Sequence, residues 1–417
     1  MLLHKSFSGR AQQSLRSDFR RSFRFSDSNR APGTIQSVAG CLKLVQPSPV
    51  QFTGGVNLLL VFLALLFCVF TTLSAETKRL LYVATPGIRN YLEYGGHGLL
   101  VYDIDQGHKF IKRIPTAGFD ENGKPRNVKG ICVSVPLKRV FISTPRTMMA
   151  VDLISEKVLW EKSYEGGCDR MAISPDGKTI YVPSFESDHW NVVDASSGDV
   201  IHKVVTKSGA HNTIYGSAGK HAYMAGLKSP FLFVSSTSDH SIAKKIGPFS
   251  AAIRPFTVNA AETMCYVNVN ELLGFEMGDL KTGEKLHRIE VKGFQKGPVK
   301  RHGCPSHGIG LTPDEKEIWL TDAANSRMHI FDNTKTPPEQ VASIELRDQP
   351  GWITFSMDGA FAYPSTCDVV DPKTRKIVTV LKNEQGEPIQ SEKLVEIHFR
   401  DGQPVVAGDQ FGLGRKR

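Results

Sequence analysis

A repeat with a period of about forty residues restricts this chain more than any other feature. Its clearest unit is "CDRMAISPDGKTIYVPSFESDHWNVVDASSGDVIHKVV", Cys168 to Val205. The unit reads as strand, turn at Pro175-Asp176-Gly177, strand, loop, strand "HWNVVD", turn at Ser197-Gly198, and strand "VIHKVV". The turn position recurs at Ser217 and Asn259, steps of 42 (217 − 175 and 259 − 217), then at Pro313 and Met357, steps of 54 and 44. Backwards it falls at Val135, a step of 40. Six units of four short antiparallel strands therefore occupy residues from about 127 to 382.

Residues 79 to 114 supply the last three strands of a seventh unit, and its first strand is available at the far end of the chain as "KLVEIHFRDG". Pairing the two termini closes a ring and removes the free sheet edges of an open array. The expected fold is all-β: a seven-bladed β-propeller of four-stranded antiparallel blades, closed by its N- and C-terminal strands. A β-sandwich is the alternative that short periodic strands also permit. No Gly-rich phosphate loop on a βα unit and no GxSxG elbow is present, which argues against nucleotide and serine-hydrolase chemistry.

The segment "ISPDGKTIYVPSFESDHWNVVDASSGDVI" resembles the YVTN-type β-propeller repeat, with weaker echoes over nearly all of residues 79 to 412. That family is similar in turn to the haem-binding propeller of dissimilatory nitrite reductase and to quinoprotein propellers. The resemblance implies the fold and little about activity, because propellers host unrelated chemistries. The chain departs from the pattern in lacking a cytochrome c module and in ending its strands with "VPS", "MAG" and "VNV".

The formal charge of +9 is concentrated at the N-terminus, where residues 1 to 55 carry eight basic and two acidic side chains, leaving +3 for the rest. With no basic stripe interleaved with aromatics, no nucleic-acid partner is expected. After this basic leader, residues 56 to 75 contain an uninterrupted apolar run, Leu58 to Phe70, of 13 residues. That length suits a signal peptide, with cleavage near Ala75, better than a spanning helix of about 20 residues. An uncleaved anchor is the alternative and would be the only membrane contact. Either places residues 76 to 417, a single propeller domain, outside the cytoplasm as a periplasmic or secreted monomer. Cys41 and Cys68 belong to the leader and its apolar run, which leaves five cysteines with no CxxC or CxxCH, so neither a disulfide framework nor covalent haem is indicated.

In a propeller the start of each blade's first strand rings one opening of the central channel. Five and six positions before each aligned turn stand Lys129 and Gly130, Asp169 and Arg170, His211 and Asn212, Ile253 and Arg254, His307 and Gly308, and Gly351 and Trp352. That ring reads as predominantly cationic. The 54-residue step places an insertion, "VKGFQKGPVKRHGCPSH", at the same opening and brings Lys296, Lys300, Arg301, His302 and Cys304 towards His307.

These residues support several readings. Lys129, Arg170, Arg254, Arg301 and the histidines suit a small anionic ligand, since guanidinium forks match carboxylate and phosphate. His302, Cys304 and His307 are candidate metal ligands, with His211 available across the channel. Haem on His211 or His307 is implied only by the nitrite reductase likeness. No cofactor is required by the sequence, and the same residues could simply join blades. The expected function is therefore a binding or scaffold propeller engaging a small anion or a protein partner. The alternative is an oxidoreductase or lactonase-like enzyme using a metal or cofactor at that mouth.

Overall fold

In a computed structural model of the chain, residues 77–410 are described. The basic leader, the apolar segment with its cleavage site, and the tail "GLGRKR" lie outside them. Among the described residues no helix is long and apolar enough to cross a membrane.

The strands form seven antiparallel sheets arranged as a ring of blades. The first strands of successive blades neighbour one another around the channel: Leu394–Arg400, Gly130–Ser134, Ala172–Ile173, Ala210–Tyr215, Ile253–Val258, Ile309–Leu311 and Ile353–Phe355. We number the blades 1 to 7 in that order. Local chemistry explains the turns between first and second strands. In Ser174-Pro175-Asp176-Gly177 the Ser174 hydroxyl donates to Asp176 Oδ1 at 2.5 Å and accepts the N–H of Thr179 at 2.9 Å. Ser356-Asp358 and Thr312-Asp314 repeat the device at 2.7 and 2.8 Å. At the end of the third strand, Asp152, Asp194, Asp279 and Asp371 each accept N–H groups from the residues two and three positions on. These are Asx turns that set the hairpin to the outer strand.

Inner strands are buried on both faces because each blade packs between two others, yet several carry buried polar residues, such as His211, Asn212 and Glu396. Outer strands such as Val158–Ser163 and Val200–Val205 are largely exposed. Blade-to-blade contacts use the large aromatics. Trp190 is fully buried and donates Nε1–H to Thr213 of the next blade at 2.7 Å, and Trp319 meets Phe355 edge-on at 5.5 Å. Cys265 is a buried strand residue, as its "TMCYVNV" context implies, and the five cysteines among the described residues are all free.

The ring closes where expected. Leu394–Arg400 pairs antiparallel with Thr77–Thr85, from Thr77 opposite Arg400 to Val83 opposite Leu394. One element has no counterpart in the repeat: Gln403–Ala407 adds a fifth strand on the channel side of Leu394–Arg400. Beyond this strand Gln410 ties blades 2, 3 and 7 together. Its Oε1 accepts from Ile131 N at 3.0 Å and its Nε2 donates to Met171 O at 2.9 Å. Its carbonyl accepts from Trp352 Nε1 and Thr354 Oγ1 at 2.5 and 3.0 Å. Each of these partners lies within a residue or two of the mouth positions, so Gln410 floors the mouth.

Candidate functional site

Above that floor the residues at or just before the starts of the inner strands form one connected network. Asp169 and Arg170 precede Ala172–Ile173, and Arg170 makes an isolated parallel bridge to Asn212 of blade 4. His211 Nδ1 lies 2.6 Å from Asp169 Oδ2, and Lys129 Nζ lies 3.3 Å from Oδ1. Burial favours a neutral Asp169, yet His211 and Lys129 outweigh it and hold the carboxyl below its ordinary range. Burial also depresses the pKa of His211, against the pull of Asp169. A neutral imidazole donating Nδ1–H to an ionised carboxylate satisfies both directions.

Arg170 links this pair to the far side of the mouth. Its guanidinium lies over the Trp352 ring, 3.9 Å from the centroid, and its Nη2 donates to Glu392. Glu392 also accepts from Lys393 Nζ at 2.8 Å and faces His302 Nδ1 across 3.0 Å. Burial opposes ionisation of Glu392, but Lys393 and Arg170 hold its pKa well below the usual range. Burial and the charge of Arg170 in turn pull Lys393 down to about 7. The His302 and His307 rings stand 5.1 Å apart, and His307 donates Nδ1–H to the Gly351 carbonyl at 2.7 Å. Burial places the His307 pKa well below the ordinary imidazole value. Gly351 has to be glycine for this packing, because a Cβ there would sit 1.9 Å from His302 Cε1.

The insertion is fixed at this opening by two arginines, Arg254 of an inner strand and its own Arg301. Arg254 donates Nε–H to Asn270 Oδ1 at 2.6 Å and Nη2–H to Gly303 O at 3.0 Å. Arg301 donates to Asp348 Oδ2 at 2.7 Å and Gln390 Oε1 at 3.0 Å, with Tyr94 stacked beneath it. Both act as clamps on the loop. Lys296, by contrast, stays on the exposed surface with Glu271, donating to its carbonyl at 3.0 Å and lying 3.9 Å from its carboxylate. Cys304 is buried and donates its S–H to Ser306 O at 3.1 Å, and burial pushes the thiol up to about 12. The residues that gather as potential metal ligands are His302, His307 and Glu392, one ligand atom from each lying within 4.8 Å of the others.

The structure thus brings Lys129, Asp169, Arg170, His211, Asn212, His302, His307 and Trp352 into or around one mouth, with Arg254 and Arg301 as its supports. The cations of the ring read in sequence are accompanied by carboxylates. Asp169, Glu392 and Asp348 neutralise Lys129, Arg170 and Arg301, because buried cations require partners. Sequence reasoning missed Glu392 and Lys393, although they directly precede the closing strand as Asp169 and Arg170 precede theirs. Several buried atoms remain without a protein partner: Arg170 Nε and Nη1, both amide atoms of Asn212, and His302 Nε2.

No protein-family model and no curated protein matches this chain. Among solved structures it is similar to a chain of Kuenenia stuttgartiensis hydrazine synthase, with a TM-score of 0.53 at 15% identity, covering 65% of this chain and 86% of that one. At that identity the likeness concerns fold alone. The chain is a seven-bladed β-propeller, and its YVTN-type likeness is carried by the quoted residues only.

Proposed function

We propose that this propeller is an extracytoplasmic binding scaffold that takes a small anionic molecule at the floored mouth of its channel. The observation that carries the reading is Arg170. It is 3% exposed, stacked on Trp352 and bound to one carboxylate through Nη2, while Nε and Nη1 have no partner. A buried donor left unpaired costs about 1–3 kcal/mol, which a carboxylate or phosphate oxygen would recover. Asn212 beside it offers a further free donor and acceptor. The cage already accommodates one carboxylate, that of Glu392, so its chemistry suits another of the same class.

Export is inferred from the basic leader and the 13-residue apolar run of the sequence. The enzyme alternative draws on one observation, the His302–His307–Glu392 cluster. A thermal-shift panel of small carboxylates and phosphates tests the binding reading. A ligand present at 100 times its Kd adds about 2.7 kcal/mol of stability, a rise of several degrees for a single domain. A panel with no stabilising anion, or stabilisation kept in Arg170→Gln, would count against the proposal.

A further inference from the structure

We propose that His302, His307 and Glu392 form a site for a single borderline transition-metal ion of the zinc class. They come from two distant parts of the chain: His302 and His307 lie on the blade 5–6 insertion, and Glu392 lies at the entry to the closing strand. All three are at least nine-tenths buried. Imidazole nitrogen and carboxylate oxygen are ordinary zinc ligands, at bond lengths of about 2.0–2.2 Å. On a tetrahedral ion such ligands stand about 3.4 Å apart, so atoms already within 4.8 Å need only side-chain adjustment to close on it.

Two further features point to an ion. His307 commits Nδ1–H to the Gly351 carbonyl, which leaves the Nε2 lone pair unprotonated and fixes the ring. Outer hydrogen bonds of this kind orient ligating imidazoles. His302 directs Nδ1 to Glu392, and its Nε2 has no partner although the side chain is 3% exposed. A buried ring nitrogen with no partner is costly, and in the Nδ1–H tautomer it presents a lone pair that a cation would satisfy.

Arg170 and Lys393 oppose the ion, since both already face Glu392. This separates the inference from the anion reading, because removing the Arg170 charge should strengthen metal binding while weakening anion binding. The site also differs from a linear His302-Cys304-His307 motif, because Cys304 is engaged by Ser306 O.

The test uses the purified full chain and Zn²⁺ alone in a non-chelating buffer, followed by calorimetry. One ion per chain should bind saturably. His302→Ala and His307→Ala should each weaken binding more than 100-fold and Glu392→Gln at least 10-fold, whereas Cys304→Ser should leave it unchanged and Arg170→Gln should tighten it. Absence of saturable binding, binding that survives both histidine substitutions, or loss of binding in Cys304→Ser would overturn the site. X-ray absorption of the Zn²⁺-loaded wild type reads the ligand set directly and needs no variant to fold. Two imidazoles with only nitrogen and oxygen neighbours support the proposal, and a sulfur neighbour refutes it.

Discussion

The seam between blade 1 and blade 7 should make the fold acid-sensitive through one histidine. His108 lies in the turn before Lys109–Ile114, is 6% exposed, and contacts Phe361 and Tyr363 of blade 7, with Nε2 at 2.9 Å from the Tyr363 hydroxyl. Burial is the main reason its pKa falls from 6.5 to about 4; Arg79 adds to the shift, and Glu396, Asp105 and Asp103 oppose it. In the unfolded chain the imidazole protonates near 6.5 and in the folded protein only near 4. Between those values the unfolded state holds more protons, and stability rises with pH. The contribution is therefore complete above pH 6.5 and is lost as pH falls towards 4. From pH 7.5 to 4.5 the two pKa values give a loss of about 2.5 kcal/mol, out of about 3.4 kcal/mol at the acid limit. Urea unfolding of wild type and His108→Gln at both pH values isolates this effect, since other titrating groups cancel in the difference. The gap between the two proteins should shift by about 2.5 kcal/mol in favour of the variant at pH 4.5. A gap that stays constant within about 0.5 kcal/mol would show that His108 titrates normally in the fold.

Deleting residues 391 to 417 removes the closing strand and should cause aggregation or a large loss of thermal stability; a truncated chain that melts like full-length protein would contradict ring closure by that strand. Gln410→Ala strands the Ile131 N–H and the Met171 carbonyl and should cost about 2–4 kcal/mol in chemical denaturation, so a neutral result would mean that the channel floor is not formed by this side chain. Mass spectrometry of protein from the native host should find an N-terminus near residue 76, and intact Met1 protein in the cytosol would contradict export.

The blades were legible because their turns are chemically explicit. Ser174-Pro175-Asp176-Gly177 and its relatives announce the inner hairpins, and Asp-led turns such as Asp194 to Gly198 announce the outer ones. Closure was legible for a related reason, since residues 79 to 114 lack a partner that only the C-terminal strand could supply. The site was legible as positions but not as pairings. Arg170 and Glu392 lie 222 residues apart, and nothing local to either indicates that the carboxylate neutralises the guanidinium. Asp348 and Lys393 escaped notice for the same reason. Counting back from inner-strand turns located the mouth in six blades. The seventh inner strand stands out of order at the chain end, and there Lys393 and Glu392 lie seven and eight positions before Arg400, the equivalent of Pro175, so the same count stops at Leu394 and misses them. The channel floor had no comparable signal, because "GQPVVAGDQ" carries no repeat and pairs with a strand already assigned.

Calorimetric titration of the best-stabilising anion into wild type and Arg170→Gln tests most directly whether the mouth is the working face of this propeller. Saturable binding of one molecule per chain is expected, weakened in the variant by about 1.5–3 kcal/mol, or about 10- to 150-fold in Kd, the range for a charge-assisted hydrogen bond. Equal affinity in the two proteins would place the binding elsewhere on the molecule and contradict the account.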